Sequence, residues 1–264
     1  MTPTEATEYL EFAHRIAVEA GGAILPHFRE ALSVTDKRNF MGYDPVTVAD
    51  HAAEQLIRDA IKSAYPAHGI HGEEHGRETG TSPLTWVIDP IDGTKSFILG
   101  QLHWGILIAL HDGNAPVVGV AHQPFVGETF LGIAGRKAEW RRGSESRPLR
   151  TRACPRIEDA IVATTDPRQF VTPAEKAALA AVSSDARLLR YGGDCYCYTQ
   201  LAMGLVDVVM ENGLQAYDIQ ALIPIIQAAG GVVTNWSGGP CDQGGSVIAC
   251  GDPGLHRDLI KKLV

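Results

Sequence analysis

Apolar residues recur at helical spacing through the first part of the chain. Between Glu8 and Leu32 they fall three or four positions apart, which predicts a long opening helix with a bend at an internal Gly-Gly pair. A second run of the same period follows Asp50, which we expect to cap a helix that ends before Pro66. The beginning of the chain is therefore predicted to be helical.

The pattern changes to short strands from Thr85 onward. Apolar residues cluster in runs rich in β-branched side chains, and turn residues such as Asp112 and Gly113 separate the runs. The strands predicted in this way are Thr85–Asp89, Trp104–Leu110, Val117–Gln123 and Glu128–Ala134. Four consecutive strands with short connections predict an antiparallel meander.

A polar, basic stretch from Arg141 to Arg152 is the best candidate for a boundary between two halves of the chain. We therefore expect an N-terminal α+β half, residues 1–143, which carries the antiparallel sheet, and a C-terminal α/β half, residues 144–264. Strands and helices alternate after the boundary, which favours a sheet covered by helices on both faces. The helices predicted here are Pro173–Val182, Cys195–Gly204, Asp218–Ala229 and Leu255–Leu263.

Composition excludes several classes of protein. The 264 residues carry a formal net charge of -8 and no long basic run, which argues against a nucleic-acid partner. No apolar run approaches the roughly 20 residues that span a bilayer, and the first residues do not resemble a signal peptide. The cysteines are scattered without zinc-type spacing and should be reduced, mostly buried thiols. We expect a cytoplasmic protein without a membrane partner.

The stretch Trp86–Thr94 is the most informative motif in the sequence. It places Asp89 and Asp92 three residues apart, between an apolar strand and a Gly-Thr turn. Because Pro90 cannot donate to a sheet, we expect the strand to stop near Asp89 and the chain to turn sharply. The two carboxylates and the carbonyl of Ile91 would then converge as oxygen ligands for a divalent cation such as Mg²⁺. An ordinary Asp-rich turn is the alternative explanation of a bare D-x-x-D pattern.

Further acidic residues place this motif in a larger pattern. The chain contains D-x-V-T-x-x-D from Asp44 to Asp50, G-E-E at Gly72–Glu74, and W-V-I-D-P-I-D-G-T at Trp86–Thr94. A late Tyr-Asp at Asp218 opens a predicted helix that runs into Ala-Gly-Gly. In order and spacing these segments resemble the inositol monophosphatase superfamily, and the resemblance extends from about residue 5 to the C-terminus.

The resemblance implies a fold, an activity and a set of site residues. The fold is a five-layer αβαβα sandwich of the inositol monophosphatase and fructose-1,6-bisphosphatase type, and the activity is Mg²⁺-dependent hydrolysis of a small phosphorylated metabolite. The ligands of two or three Mg²⁺ ions would be Glu73, Asp89, the Ile91 carbonyl, Asp92 and Asp218, most of them in the N-terminal half. Several carboxylates in one pocket repel a phosphate dianion unless divalent ions reverse the local field. We also expect a homodimer.

The same resemblance assigns roles to further residues. Asp44 would lie near the metals or help to hold a third, weaker ion, and Thr47 would supply an auxiliary hydroxyl. Glu73 and Thr94 would orient the attacking water. Gly93 and Thr94 would hold the phosphate group, and Asp218 would also contact the substrate.

Specificity must come from the residues around the leaving alcohol. Asp194 occupies a position that is usually small and neutral in inositol monophosphatases, and together with Glu211 it makes this side of the pocket anionic. An anionic wall favours a cationic alcohol. Gly-Gly-Asp-Cys-Tyr at residues 192–196 resembles the histidinol-phosphatase branch of the superfamily, whose substrate carries an ammonium close to its ester carbon.

Three other functions stay open at this point. Carboxylates also accept hydrogen bonds from inositol hydroxyls, so an inositol-1-phosphatase is the nearest alternative. A 3'(2'),5'-bisphosphate nucleotidase shares the Gly-Thr-Lys-x-Phe signal, but it would need basic residues near Asp194. A catalytically silent regulatory protein on the same fold would be expected to have lost metal ligands, and every matched ligand position is intact.

Overall fold

The computed structural model describes residues 1–30, 34–36 and 45–263. Within these residues the strands form a two-stranded ribbon, an eight-stranded sheet and a five-stranded sheet. The ribbon consists of β1 (Val34–Asp36) and β2 (Pro45–Thr47).

The strands of the larger sheet are β3 (Gly69–Gly72), β4 (Gly76–Glu78), β5 (Thr85–Asp92), β6 (Gly105–His111), β7 (Pro116–Gln123), β8 (Glu128–Ile133), β9 (Lys137–Arg142) and β10 (Glu145–Pro148). Their order in the sheet is β10-β9-β8-β7-β6-β5-β3-β4. The strands of the smaller sheet are β11 (Ile161–Thr164), β12 (Leu188–Tyr191), β13 (Val208–Leu214), β14 (Val232–Thr234) and β15 (Gly245–Cys250). Their order is β12-β11-β13-β15-β14.

The helices cover both sheets and fill the space between them. They are α1 (Pro3–Ile24), α2 (Val48–Ala64), α3 (Thr94–Ile98), α4 (Pro173–Ser183), α5 (Asp194–Ala202), α6 (Ala216–Ile219), α7 (Leu222–Ala228) and α8 (Pro253–Leu263). Helices α1 and α2 pack on the outer face of the larger sheet, α5 to α7 lie between the sheets, and α4 and α8 pack on the outer face of the smaller sheet. This is the predicted five-layer αβαβα sandwich, and the fold prediction is confirmed.

Strand β6 shows how the sequence specifies the layers. Ile106, Ile108 and Leu110 belong to the core under α1 and α2, whereas Leu107 and Ala109 belong to the core between the sheets. Successive side chains of a strand point to opposite faces, so a strand that is apolar at every position is buried on both. The central layers therefore need sequences that are apolar throughout rather than alternating.

Small residues let the middle helices approach the larger sheet. A Cβ atom added at Gly119 of β7 would lie 1.9 Å from the backbone oxygen of Ala221, and one at Gly132 of β8 would lie 2.5 Å from the backbone of Ile225. These contacts are possible only without a side chain. The two glycines therefore let α7 pack directly on the sheet. Helix α6, which carries Asp218, directly precedes α7.

Several element boundaries differ from the predictions. Helix α1 begins at Pro3, after a capping box formed by Thr2 and Glu5, and ends at Ile24, where a short 3₁₀ turn follows. Thr47 rather than Asp50 is the N-cap of α2; Asp50 is the third helical residue and completes a capping box. The helix predicted over residues 218–229 is two helices, α6 and α7.

The predicted meander is confirmed for β5 to β8 and is longer than expected. The β9–β10 hairpin continues it, so part of the polar stretch proposed as a boundary is sheet. Strand β10 also lies beyond residue 143, and the division into halves at that residue stays a prediction. All five cysteines are free and buried, as expected. Among the described residues, no helix is both long enough and apolar enough to cross a membrane.

Candidate active site

The acidic motif lies on a bulge in β5. The strand does not stop at Asp89, as the sequence suggested, but continues to Asp92 with a shift of register against β6: Asp89 lies opposite Leu107, and Asp92 lies opposite Gly105. The bulge accommodates Pro90, whose missing N–H would otherwise interrupt the ladder. The amide of Ile91 donates to Asp89 Oδ1 at 3.1 Å. The prediction of a strand end near Asp89 was therefore wrong.

A third carboxylate, from the C-terminal part of the sequence, lies beside this pair. Asp218 lies on α6, which packs against β5, and one carboxylate oxygen from each of Asp89, Asp92 and Asp218 lies within 4.8 Å of the other two. Backbone amides orient two of these carboxylates. The Gln215 amide donates to Asp218 Oδ2 at 2.7 Å, and the Cys195 amide donates to Asp92 Oδ2 at 2.7 Å.

The crowded carboxylates disfavour their own ionisation. Burial, followed by the charges of Glu73, Asp92 and Asp218, raises the pKa of Asp89 well above its usual range. Burial is also the main cause that raises the pKa of Asp92, and it raises the pKa of Asp218 to about 8. These carboxylates line a cavity, and Lys95 is the only basic residue among the described residues that line it. Three clustered oxygen donors with so little basic compensation fit a hard divalent cation.

The proposed water-orienting residues lie in the same cavity. Glu73 directly follows β3, and its amide donates to the Ile88 carbonyl at 3.2 Å. Thr94 begins α3, and its hydroxyl donates to the Ile91 carbonyl at 3.0 Å. Gly93 has a positive φ of 83°, and a Cβ atom there would lie 2.5 Å from the backbone oxygen of His103. The Gly-Thr turn is thus specified by backbone geometry.

A buried acid that the sequence did not identify anchors the turn after β3. Glu54 of α2 is 0% exposed, accepts the amides of Glu74 at 2.7 Å and His75 at 3.1 Å, and pairs with Arg58 at 2.7 Å. These bonds fix the backbone that directly follows Glu73. In the sequence, Glu54 is distinguished only by its position in the first turns of a predicted helix.

One of the predicted site residues that the structure describes, Thr47, does not line this cavity. Thr47 is buried; its hydroxyl donates to Asp50 Oδ2 at 2.6 Å and accepts the Ala49 amide at 3.2 Å, so it serves as a helix cap. Asp44 lies outside the described residues. The auxiliary roles of both residues stay predictions.

Asp194 has an unusual backbone conformation at the start of α5. It follows two glycines with positive φ and has a φ of 44° itself, in the left-handed region that non-glycine residues seldom adopt. Its carboxylate accepts the Ser96 hydroxyl at 2.7 Å, and its amide donates to the Thr165 hydroxyl at 3.1 Å. Such strain persists only where the surroundings enforce it, and it is typical of functional sites.

Glu211 shares Thr165 with Asp194. The Thr165 amide donates to Glu211 Oε1 at 3.0 Å, the Thr165 hydroxyl donates to the same oxygen, and the Tyr198 hydroxyl donates to Oε2 at 3.2 Å. Burial is the main cause of two pKa shifts. It raises the pKa of Glu211 to about 8, and it also raises the pKa of Asp194. Thr165 therefore links the carboxylate of Glu211 to the backbone amide of Asp194.

The metal-type carboxylates, the Gly-Thr turn and the two acids Asp194 and Glu211 line one cavity of about 190 Å³. The predicted residues that line it are Glu73, Asp89, Ile91, Asp92, Gly93, Thr94, Asp194, Glu211 and Asp218. The lining residues that sequence reasoning did not assign are Lys95, Thr165, Gln169, Cys195, Tyr198 and Leu214. Lys95, Cys195 and Tyr198 belong to or adjoin recognised motifs, whereas Thr165 and Gln169 carry no local signal.

Comparison with known proteins defines the class of this protein. Residues 5–264 match the inositol monophosphatase family, and the chain belongs to that family of metal-dependent phosphatases. A solved inositol monophosphatase from Zymomonas mobilis is 34% identical, with a TM-score of 0.86 over 100% of this chain and 99% of the other.

The curated relatives carry several different names. The bifunctional phosphatase IMPL2 of Arabidopsis thaliana is 35% identical over 100% of this chain and 77% of the relative. A histidinol-phosphatase of Chlorobaculum parvum is 33% identical over 96% of both. The Nus factor SuhB of Haemophilus influenzae is 34% identical over 91% of this chain and 90% of the relative. The resemblance inferred from the sequence motifs is thereby confirmed at the level of the family.

Proposed function

We propose that this protein hydrolyses L-histidinol phosphate to L-histidinol and inorganic phosphate in the presence of Mg²⁺. The proposal rests mainly on two acids, Asp194 and Glu211, that line the same cavity as the metal-type carboxylates. Thr165 accepts the Asp194 amide and donates to the Glu211 carboxylate, which holds the two residues side by side. An ammonium next to the ester carbon would compensate both acids by charge-assisted hydrogen bonds. The 33% identity to a histidinol-phosphatase supports the same substrate.

One group of residues acts at the phosphate end of the substrate. Asp89, Asp92 and Asp218, with Glu73 and the Ile91 carbonyl, would hold two or three Mg²⁺ ions. When bound, Mg²⁺ neutralises charge on the phosphoryl oxygens and makes water a stronger nucleophile. Glu73 and Thr94 would orient the attacking water, and Glu73 would accept a proton from it as the water oxygen attacks phosphorus. The bond to the ester oxygen then breaks, and the leaving alkoxide takes up a proton from solvent to give the alcohol. Amides of Gly93 and Thr94 hold the phosphate group.

The second candidate is inositol-1-phosphate. The Zymomonas mobilis enzyme named an inositol monophosphatase is as similar to this chain as the histidinol-phosphatase is. Inositol hydroxyls could donate to Asp194 and Glu211, but they carry no positive charge that would offset the burial that raises the pKa of both acids. A catalytically silent regulatory role would not require the metal-type carboxylates, and Asp89, Asp92 and Asp218 are all present in one cluster. The cytoplasmic location and the homodimer stay predictions.

The proposal is tested by removing the charge of Asp194. We expect Asp194→Asn to lower kcat/KM for L-histidinol phosphate about tenfold to a hundredfold, because a charge-assisted hydrogen bond becomes a neutral one. Asparagine also tolerates the left-handed backbone better than alanine does. Hydrolysis of glycerol phosphate, measured in the same preparation, should stay within a few-fold. Equal losses on both substrates would instead point to general damage of the site.

A matched pair of valine variants tests whether Thr165 organises the acid pair. Thr165→Val removes the hydroxyl that joins Glu211 to the Asp194 amide, and we expect KM for L-histidinol phosphate to rise about threefold to tenfold. The neighbouring Thr164 hydroxyl is buried and has no hydrogen-bond partner among the described residues, so Thr164→Val is the control and should leave KM unchanged. If both variants gave the same KM, the hydroxyl of Thr165 would have no role in substrate binding.

A further inference from the structure

A buried serine holds the carboxylate of Asp194. Ser96 lies on α3, two residues after Thr94, and is 7% exposed. Its hydroxyl donates to Asp194 Oδ2 at 2.7 Å. Among the described residues this is the only hydrogen bond that the Asp194 carboxylate accepts, whereas the Glu211 carboxylate accepts three. The orientation of the Asp194 side chain therefore depends on Ser96 far more than that of Glu211 depends on any one donor.

This single bond determines which oxygen of Asp194 is left for a ligand. The torsion that turns an aspartate carboxylate is broad, so a fixed backbone does not fix the plane of the carboxylate. Here the backbone is held separately, because the Asp194 amide donates to the Thr165 hydroxyl and the Cys195 amide donates to Asp92. With Oδ2 bonded to Ser96, Oδ1 accepts no hydrogen bond from the described residues, and it is not closed off from solvent. Ser96 thus leaves Oδ1 as the free acceptor of a residue that lines the cavity.

Helix α3 connects this contact to the turn proposed to hold the phosphate group. Gly93 directly precedes α3, and a Cβ atom added there would lie 3.1 Å from both Cβ and Cγ of Asp194. Phe97, the residue after Ser96, is buried and packs edge-on against Trp104 with ring centroids 4.9 Å apart. This packing anchors the helix, so the serine hydroxyl is preorganised next to Asp194.

We propose that Ser96 is a positioning residue for substrate selectivity, which turns the Asp194 carboxylate so that Oδ1 meets the ammonium of the substrate. This inference rests on the proposed function. The same short helix then follows the phosphate-holding turn and orients the acid that recognises the leaving alcohol, which sets the spacing between the two charged ends of an amino-alcohol phosphate. Ser96 does not touch the substrate in this assignment, and an ester without an ammonium does not depend on it.

Removal of the hydroxyl should weaken selectivity without slowing hydrolysis in general. We expect Ser96→Ala to raise KM for L-histidinol phosphate about threefold to tenfold with little change in kcat, and to leave glycerol phosphate hydrolysis within about twofold of wild type. Calorimetric binding of L-histidinol to the Mg²⁺-loaded protein should weaken by a similar factor, which gives a readout without turnover. Thr199→Val is the matched control. It removes a buried hydroxyl on α5 that donates to the Tyr196 carbonyl, and it should leave KM unchanged.

A double-mutant cycle tests whether Ser96 acts through Asp194. Asp194→Gly removes the carboxylate, and glycine readily adopts the left-handed backbone at this position. If the serine only orients that carboxylate, Ser96→Ala added to Asp194→Gly should leave KM for L-histidinol phosphate unchanged. A structural role of Ser96 elsewhere in the site would instead give the same loss in both backgrounds.

The failure of this assignment can be distinguished from the failure of the proposed function. If the wild-type protein prefers L-histidinol phosphate over glycerol phosphate and Ser96→Ala keeps that preference, the Ser96 assignment is overturned while the proposed function stands. Additive effects in the double-mutant cycle, or equal losses on both substrates, overturn it in the same way. If the wild-type protein does not hydrolyse L-histidinol phosphate, the proposed function fails and the assignment fails with it.

Discussion

Asparagine at position 89 or 218 should lower kcat for phosphate-ester hydrolysis by at least about a hundredfold. Each substitution replaces a carboxylate of the three-residue cluster with a neutral amide, which is a poorer ligand for a hard cation. Loss or displacement of the cation removes both the activation of water and the neutralisation of the phosphoryl charge. Steady-state kinetics at saturating Mg²⁺ measure the effect for Asp89→Asn and Asp218→Asn.

Two controls separate this effect from misfolding. Asp112→Asn changes an acid in the β6–β7 turn, at the far end of β6 from Gly105, which pairs with Asp92, and it should leave kcat unchanged. Chelation of the wild-type protein should abolish activity, and added Mg²⁺ should restore it. Full activity in excess EDTA after dialysis would show that the carboxylate cluster has no role in metal-dependent catalysis.

Glu73→Gln should be the most informative single change at the reacting end of the substrate. We expect kcat to fall by about a hundredfold or more, because an amide cannot accept a proton from water, while KM changes little. The fold should survive. The bonds that hold the turn after β3 use the Glu73 backbone and the side chain of Glu54, and neither is altered.

The same experiment distinguishes catalysis from binding. Thr94→Ala should lower kcat in the same way but less severely, because the threonine hydroxyl helps to orient the water and does not accept its proton. In the structure this hydroxyl is held by a hydrogen bond to the Ile91 carbonyl. Circular dichroism and thermal unfolding check that both variants are folded. A rise in KM with an unchanged kcat, for either variant, would mean that the residue contacts the substrate but does not orient the nucleophile.

Local sequence patterns predicted the helices and strands whose apolar side chains follow a regular pattern along the chain. Strands β6 to β8 are marked by apolar runs between turn residues, and their positions agree with the prediction to within one residue. Helix α2 was predicted from its apolar periodicity, although its N-cap lies three residues earlier than expected. The acidic residues of the site were found because three motifs each contribute carboxylates at fixed spacing. Long-range packing then brings these motifs together in one cavity.

The errors have a common physical cause. Pro90 is locally a strand breaker, but the register shift against β6 lets β5 continue through it. Thr165 and Glu54 have ordinary sequence neighbours, and their importance depends on partners 20 or more residues away, Glu211 for Thr165 and Glu74 for Glu54. Nothing in the sequence around a residue can reveal such contacts, because tertiary packing creates them.

The most direct test of the account is the choice of substrate by the unmodified protein. Values of kcat/KM for L-histidinol phosphate, inositol-1-phosphate and adenosine 3',5'-bisphosphate should be measured side by side with Mg²⁺. The acid pair of Asp194 and Glu211 predicts a preference for L-histidinol phosphate of at least about tenfold, the value of one charge-assisted hydrogen bond. A preference for inositol-1-phosphate, or equal rates on all three, would contradict the proposal.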